Sequence, residues 1–226
     1  MGGMPIAVKI APVNENKGRA STAPLRRLDE VLMHLPVLTH ATAVLGVGED
    51  GIPVLWDAQH SKSLLVIGEG LVLPWQVLDA ARVSLERHNT RHLVELTWVT
   101  ARERQGEYGI TTVVSPYERT LEQTLYRLAD LADRRQHGQN RGAVQVLILD
   151  DLAQVLKADY EAHWALEFVL ERGAGVGVQV LAGVDGNALT RRPVKGWDKR
   201  FGLVLRQREG EAVFATPRGV LMPVEV

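Results

Sequence analysis

An apolar run that ends in two acids, residues 147–151 (Leu-Ile-Leu-Asp-Asp), is the segment of this chain best suited to chemistry. At the carboxyl end of a buried strand, the Asp150 carboxylate could hold Mg²⁺ and the Asp151 carboxylate could polarise a water molecule. The same pattern also arises where an acid only caps the loop after a strand. Asp150 and Asp151 are therefore candidate catalytic residues that need a partner segment elsewhere in the chain.

The turn after the apolar run 63–67 stands where a phosphate-binding loop would stand, because a glycine closes the run and an amphipathic helical pattern follows. In the pattern G-x-x-x-x-G-K-[S/T] counted from that glycine, the second glycine, the lysine and the hydroxyl residue fall on leucine, proline and tryptophan. Those losses remove the close backbone approach, the cation and the Mg²⁺ ligand that phosphate binding requires. The positions of this degenerate loop are Gly68, Gly70, Leu73, Pro74 and Trp75. No cofactor is expected, and ATP with Mg²⁺ at Asp150 would bind only if the altered loop still holds it.

Composition indicates one globular domain without strong overall charge. The chain has 226 residues, 46% hydrophobic and 23% charged, with a formal net charge of −1. It has no cysteine, which excludes disulfides and thiolate chemistry. The sequence shows no apolar run of the roughly 20 residues that a spanning helix needs and no signal pattern, so we expect no membrane partner and a cytoplasmic location.

Any contact with nucleic acid must therefore come from a local basic patch. Segment 191–200 is the candidate, and its basic residues are Arg191, Arg192, Lys195, Lys199 and Arg200. Such a segment could contact DNA phosphates, or could be a solvated loop between two strands. Trp197 within it could stack against DNA, although packing over the loop is the commoner use of such a residue.

Alternating strand and helix patterns predict an α/β fold whose mainly parallel sheet is flanked by helices. An N-terminal arm and helix (residues 1–43) precede the main domain (residues 44–226). The predicted strands are 44–47 and 52–56 around a turn at 48–51, then 63–67, 93–99, 110–114, 144–149 and 176–181, with a C-terminal β-hairpin at 201–206 and 212–215. The predicted helices are 74–88, one that a capping box at Ser115 opens and Gly138 ends, and 158–172.

Taken together, residues 44–186 resemble the motor domain of the FtsK/SpoIIIE/HerA group of DNA-pumping ATPases, which has a P-loop NTPase core of the RecA/FtsK type. The segments that carry the resemblance are 46–56, 63–68, 113–118, 133–135, 147–151 and 172–183. Within them, residues 147–151 resemble the family's Walker B motif, and the turn after residue 67 stands at its Walker A motif. The resemblance implies a hexameric ring around duplex DNA.

This sequence departs from the family pattern at several positions besides the loop. Asp151 stands where the family usually has glutamate, and Asp185 replaces the expected polar sensor. Ala174 stands where we would place the family's arginine, which leaves Arg172, two residues away, as the candidate arginine finger.

Three functions follow. The chain could be a catalytically degenerate subunit, a pseudo-ATPase that binds DNA or assembles as a homo-oligomer ring or with an active ATPase subunit. It could be an active ATP-dependent DNA translocase with an atypical loop, using a lysine from elsewhere such as Lys62 or Lys195. It could also be a purely structural module in which the apolar residues 71–75 of the former loop contact a partner or fill the pocket. We expect the first, since losing both the lysine and the hydroxyl residue removes charge neutralisation and metal positioning.

Overall fold

The computed structural model describes residues 32–33, 41–47, 53–70, 74–103, 106–139, 142–208, 211–215 and 221–222. Most of the predicted N-terminal arm and helix, the turn at 48–51 and position Leu73 of the degenerate loop lie outside the described residues. The domain boundary at residue 43 stays a prediction. Within the described ranges, no helix is both long enough and apolar enough to cross a bilayer.

The elements alternate along the chain as the sequence patterns predict. The strands are β1 (Thr42–Val47), β2 (Pro53–Asp57), β3 (Leu64–Gly68), β4 (Val94–Val99), β5 (Gly106–Tyr108), β6 (Thr111–Val114), β7 (Val144–Leu149), β8 (Val178–Asp185), β9 (Leu203–Arg208), β10 (Glu211–Ala215) and β11 (Leu221–Met222). The helices are α1 (Trp75–His88), α2 (Arg119–Gln136), α3 (Leu152–Val155) and α4 (Tyr160–Arg172). Short 3₁₀ turns cover Gly173–Val176, Gly186–Thr190 and Trp197–Arg200.

The main sheet has the strand order β11-β10-β9-β3-β8-β7-β4-β6-β5. Its six central strands, from β9 to β6, are parallel, whereas β5, β10 and β11 pair antiparallel at the two edges. The predicted α/β class with a mainly parallel sheet is therefore confirmed. Among the described residues, β1 and β2 pair with each other in a separate two-stranded sheet and do not extend the main one.

Helices cover both faces of the sheet because the central strands are apolar on both sides. Leu64 and Val66 of β3 belong to the core under α1 and the β1–β2 pair, while Leu65 and Ile67 belong to the core under α2, α3 and α4. The predicted stripe on α2 is buried as expected, and its residues are Leu121, Leu125, Leu128 and Ala132. This packing fixes the carboxyl ends of the strands, where the candidate site lies.

Besides β1 and β9, whose starts at residues 42 and 203 differ by two residues from the predicted 44 and 201, three predicted elements begin later than expected for local reasons. α2 begins at Arg119 after an extended Glu118, and Ser115 Oγ instead accepts the Tyr117 N–H at 3.3 Å, so the predicted capping box does not form. α4 begins later than predicted because the Asp159 carboxylate caps it, accepting the Ala162 N–H at 2.7 Å. The strand predicted from residue 176 begins at residue 178, because a 3₁₀ turn ends there in Gly177 with φ of +73°.

Candidate functional site

The carboxyl ends of three neighbouring strands form the edge where the candidate residues lie. β8 lies between β3 and β7, and the three strands run in the same direction. Gly68 ends β3, and Asp150 directly follows β7. Because adjacent strands lie about 4.8 Å apart, these two positions are roughly 10 Å apart at the edge where open α/β sheets bind ligands.

Asp150 is held by two side chains that neighbour it at this edge. Its Oδ1 accepts a hydrogen bond from Trp98 Nε1 at 2.8 Å. Its Oδ2 accepts from Arg102 Nε at 3.0 Å and from Arg102 Nη2 at 2.8 Å. The Asp150 side chain is only 10% exposed, so these charge-assisted hydrogen bonds replace the water molecules that would otherwise solvate the carboxylate.

Two tryptophan rings flank the Arg102 guanidinium. Its central carbon lies 4.3 Å from the centroid of Trp75 and 5.5 Å from that of Trp98. Trp75 is the first residue of α1 and stands at the hydroxyl position of the phosphate-binding pattern. Trp75, Trp98, Arg102 and Asp150 are named here the arginine–tryptophan cluster. It joins the degenerate loop position to the candidate acid through aromatic stacking and an ion pair.

Sequence reasoning identified Trp75 and Asp150 but missed Trp98 and Arg102. Trp98 lies inside a predicted strand, where an aromatic residue is ordinarily core. Arg102 lies just beyond the end of β4, outside every motif that the spacing indicates. The adjacency of β4 and β7 brings both to Asp150, and that pairing is a property of the sheet order and not of any local pattern.

The start of α1 packs closely against β8. Pro74 precedes the helix and gives it no side-chain cap, although its carbonyl accepts the Val77 and Leu78 N–H groups. A Cβ on Gly183 would lie 2.8 Å from the Asp150 carbonyl oxygen and 3.2 Å from Pro74 Cβ. Gly183 therefore allows the helix start and the acid-bearing strand end to approach each other.

The turn after β3 is bonded to β9, the strand that pairs with β3 on the side opposite β8. Gly70 has φ of +72°, as a tight turn requires. The Glu69 N–H donates to the Gln207 carbonyl at 2.8 Å, and Arg206 Nη1 lies 3.1 Å from Glu69 Oε1. β9 thus holds the described part of the degenerate loop in place.

Mg²⁺ is the ion that the resemblance implies at Asp150, and the described residues do not fit it. Both carboxylate oxygens of Asp150 already accept hydrogen bonds, one of them from a guanidinium. A tryptophan, not a hydroxyl residue, begins α1. Across the part of the chain that the structure describes, no group of three or more His, Asp or Glu side chains could hold a metal ion.

Among the described hydrogen bonds and ion pairs, the side chains of Asp151 and Arg172 have partners outside this cluster. Asp151 caps α3 by accepting the Ala153 N–H at 2.8 Å, which is the capping role that the sequence left open. Arg172 ends α4 before β8 begins, so it lies toward the amino edge of the sheet, where its Nε is 3.5 Å from Glu171 Oε1. Lys62 precedes β3 and also lies at the amino edge, opposite Asp150. A catalytic base at Asp151 and an arginine finger at Arg172 stay predictions.

The basic segment 191–200 connects β8 to β9 and exposes its cations. Val194 and Trp197 are buried in the core, and Trp197 therefore packs beneath the segment. Arg200 already has partners within the chain, since its Nη2 lies 2.9 Å from Glu167 Oε1 and its guanidinium lies 5.3 Å from the centroid of the Trp197 ring. The remaining exposed cations are Arg191, Arg192, Lys195 and Lys199.

The chain matches no protein-family model and no curated protein sequence. Solved structures are similar in fold. The conjugation coupling protein TcpA of pCW3, solved with ATPγS, has a TM-score of 0.63 and 12% identity over 98% of this chain and 69% of its own. The cytoplasmic domain of the type VII secretion ATPase EccC from Thermomonospora curvata has a TM-score of 0.63 and 14% identity over 86% of this chain. ATPases 2 and 3 of EssC from Geobacillus thermodenitrificans have a TM-score of 0.63 and 12% identity over 87%.

These likenesses establish the fold. The chain has the α/β fold of FtsK/SpoIIIE-type P-loop ATPase domains. It spans 27% of the EccC chain and 43% of the EssC chain, so it corresponds to a part of those proteins.

Proposed function

We propose that this chain is a catalytically degenerate protein of the FtsK/HerA-like ATPase fold, which does not turn over nucleotide and acts in a DNA-handling assembly. The arginine–tryptophan cluster carries the proposal. The Arg102 guanidinium, 2.8 Å from Asp150 Oδ2, supplies the positive charge that a metal ion would otherwise bring to this carboxylate. Because Arg102 already neutralises the Asp150 carboxylate, this site does not require Mg²⁺ or the nucleotide that would accompany it.

The loop opposite supports the same conclusion. Phosphoryl transfer depends on a cation and a metal ligand placed at the start of the helix after β3. Pro74 has no N–H group to offer there, and Trp75 places an aromatic ring against Arg102. The positions that would grip phosphate therefore support the cluster instead.

ATP binding tests the loss of activity. We expect Asp150→Ala to change the affinity for ATP with Mg²⁺ less than about twofold, because in this chain Asp150 pairs with Arg102 and not with a metal ion. Titration calorimetry of both proteins measures the affinities. Micromolar ATP binding by the unchanged chain, together with an affinity loss of about tenfold or more in the variant (about 1.4 kcal/mol), would contradict the proposal and favour an active ATPase.

The exposed cations of segment 191–200 support the DNA-handling part of the proposal. Four of them lie on one connection without an ion pair among the described residues, and each could neutralise a phosphate. The fold hosts a conjugation coupling protein as well as secretion ATPases, so it does not decide between DNA and other partners. A ring of copies, or assembly with an active ATPase, would present the four cations repeatedly.

Duplex DNA titrated at two salt concentrations tests that part. Replacing Arg191 and Arg192 together by alanine should reduce the slope of log affinity against log salt by about 1.8, since each phosphate contact contributes about 0.9. Lys157→Ala is the control, because this exposed lysine lies in the turn after α3, outside segment 191–200, and donates a hydrogen bond to Gln154. An equal effect of the control, or binding that salt does not weaken, would remove segment 191–200 as the DNA contact.

A purely structural role is the second candidate, and the same cluster favours it. Trp75 and Arg102 fill the former site with their side chains. A domain whose only role is to contact partners through its surface would tolerate this filling. Absence of both ATP heat and DNA binding would select this role over the first.

A further inference from the structure

The outer surface between α2 and α4, on the side of the sheet away from α1, carries an apolar groove. Its volume is about 420 Å³, which is large enough for one or two big side chains. Ala129 of α2 and Ala165 of α4 form its floor, and Trp164 and Phe168 form one wall. Asp130 and Asp133 stand on the α2 side. The groove lies outside the arginine–tryptophan cluster and outside segment 191–200.

Its aromatic wall is unusually exposed for a core-packing helix. The Trp164 side chain is 59% exposed, while Trp56, Trp98 and Trp197 are each at most 7% exposed. Its ring lies 5.6 Å from that of Phe168 at an interplanar angle of 31°, so the two rings form one continuous apolar surface. Exposed tryptophan beside a pocket is the residue type that most often anchors a bound partner.

The charges around the groove are mainly negative. Asp130 and Asp133 are 61% and 55% exposed, and Arg134 is paired with Asp130 at 2.5 Å. At the other end the Tyr126 hydroxyl donates to the Asp159 carboxylate at 3.0 Å. Removal of this hydroxyl from solvent, that hydrogen bond and the charges of the Asp159, Glu161 and Glu122 carboxylates together raise the pKa of Tyr126 to about 12. Because Asp130 is paired with Arg134, the exposed Asp133 carboxylate and the carboxylates near Tyr126 supply the negative charge beside the apolar floor.

We propose that the groove between α2 and α4 binds a peptide segment of another protein that presents a large apolar side chain between lysine or arginine residues. The apolar side chain would fill the groove against Trp164, Phe168 and the two alanines. The flanking cations would pair with the exposed carboxylates of the rim, where charge complementarity selects the partner. The inference is independent of nucleotide and DNA binding.

Three synthetic peptides titrated into the 226-residue chain test the chemistry of the groove. They are Lys-Lys-Phe-Leu-Lys-Lys, its charge-reversed form Glu-Glu-Phe-Leu-Glu-Glu, and Lys-Lys-Ser-Ser-Lys-Lys without the apolar pair. Tryptophan fluorescence reports the binding, because Trp164 is highly exposed and acrylamide should quench it first. We expect the first peptide to bind at least about tenfold more tightly than either control and to protect Trp164 from the quencher. Equal binding of all three would overturn the proposal.

Variants of the chain separate the groove from the rest of the surface, with calorimetry as the readout. Trp164→Ala should weaken binding of the first peptide by about tenfold or more. Asp133→Lys should weaken it by about threefold and reduce its salt dependence. Tyr117→Ala is the matched control, since Tyr117 is 71% exposed and lies outside the groove, and it should change nothing. An unchanged affinity in Trp164→Ala, with the fold intact by circular dichroism, would overturn the assignment.

Two further measurements address other occupants. A peptide of the chain's own residues 4–12, Met-Pro-Ile-Ala-Val-Lys-Ile-Ala-Pro, also places a lysine among apolar residues. If it bound in the groove more tightly than the designed peptide, the occupant would be the chain itself. Self-association that sedimentation detects and Trp164→Ala abolishes would assign the groove to a second copy. Either result would overturn the inference of an outside partner.

Discussion

Replacing Arg102 by methionine should lower the free energy of unfolding by about 2 kcal/mol, because the Asp150 carboxylate would lose its guanidinium while remaining largely buried. Breaking a fully buried pair costs about 3–5 kcal/mol, and the 38% exposure of Arg102 reduces that figure. Urea denaturation monitored by circular dichroism measures the loss.

Two comparisons make this result specific to the ion pair. The double variant Arg102→Met with Asp150→Asn should lose about 1 kcal/mol less than the sum of the single variants, because no unpaired charge is left behind. Arg172→Met is the matched control, since Arg172 is 54% exposed and its only described ion pair, with Glu171, is 3.5 Å long. A control loss as large as that of Arg102→Met would show that the methionine substitution itself, and not the pair, is responsible.

Gly183→Ala should destabilise the fold by about 2–3 kcal/mol, the range for extra atoms forced into a packed interior. The new methyl group would lie 2.8 Å from the Asp150 carbonyl oxygen and 2.9 Å from Leu78 Cδ1, and both distances are shorter than a Cβ ordinarily has to another non-bonded heavy atom. Leu78 can move its side chain, but the Asp150 carbonyl belongs to the backbone. The adjustment would therefore fall on the strand end that carries Asp150.

Gly175→Ala provides the comparison for that variant. Gly175 lies in the 3₁₀ turn after α4, and no atom lies within 4 Å of the Cβ it would gain. We expect this change to leave stability within about 0.5 kcal/mol or to raise it slightly, since alanine restricts the unfolded chain. Thermal unfolding followed by circular dichroism should separate the two variants clearly, and similar losses in both would mean that close packing at Gly183 is not the cause.

The sequence alone predicted the parts of the fold that depend on periodicity. The run at 144–149 was placed without error as a strand, because a six-residue apolar segment between polar residues suits burial on both faces. The helix after the degenerate loop was placed to within one residue, since its amphipathic pattern extends over fourteen residues. Both elements are determined by neighbours along the chain.

The site could be predicted only in part, because its partners come from separate strands. Asp150 and Trp75 stood out against a known pattern, whereas Arg102 and Trp98 reach Asp150 only because β4 and β7 are adjacent. The capping box at Ser115 failed for a local reason instead. The Ser115 hydroxyl accepts the Tyr117 N–H in a turn, and α2 begins only at Arg119 after the extended Glu118.

The arginine–tryptophan cluster also makes its residues depend on one another as the sequence changes. Replacing Trp75 alone would remove the ring that lies 4.3 Å from the Arg102 guanidinium, and replacing Arg102 alone would leave the Asp150 carboxylate without its counter-charge. Each single substitution therefore passes through a less stable protein, so we expect these positions to change together in related chains and not one at a time.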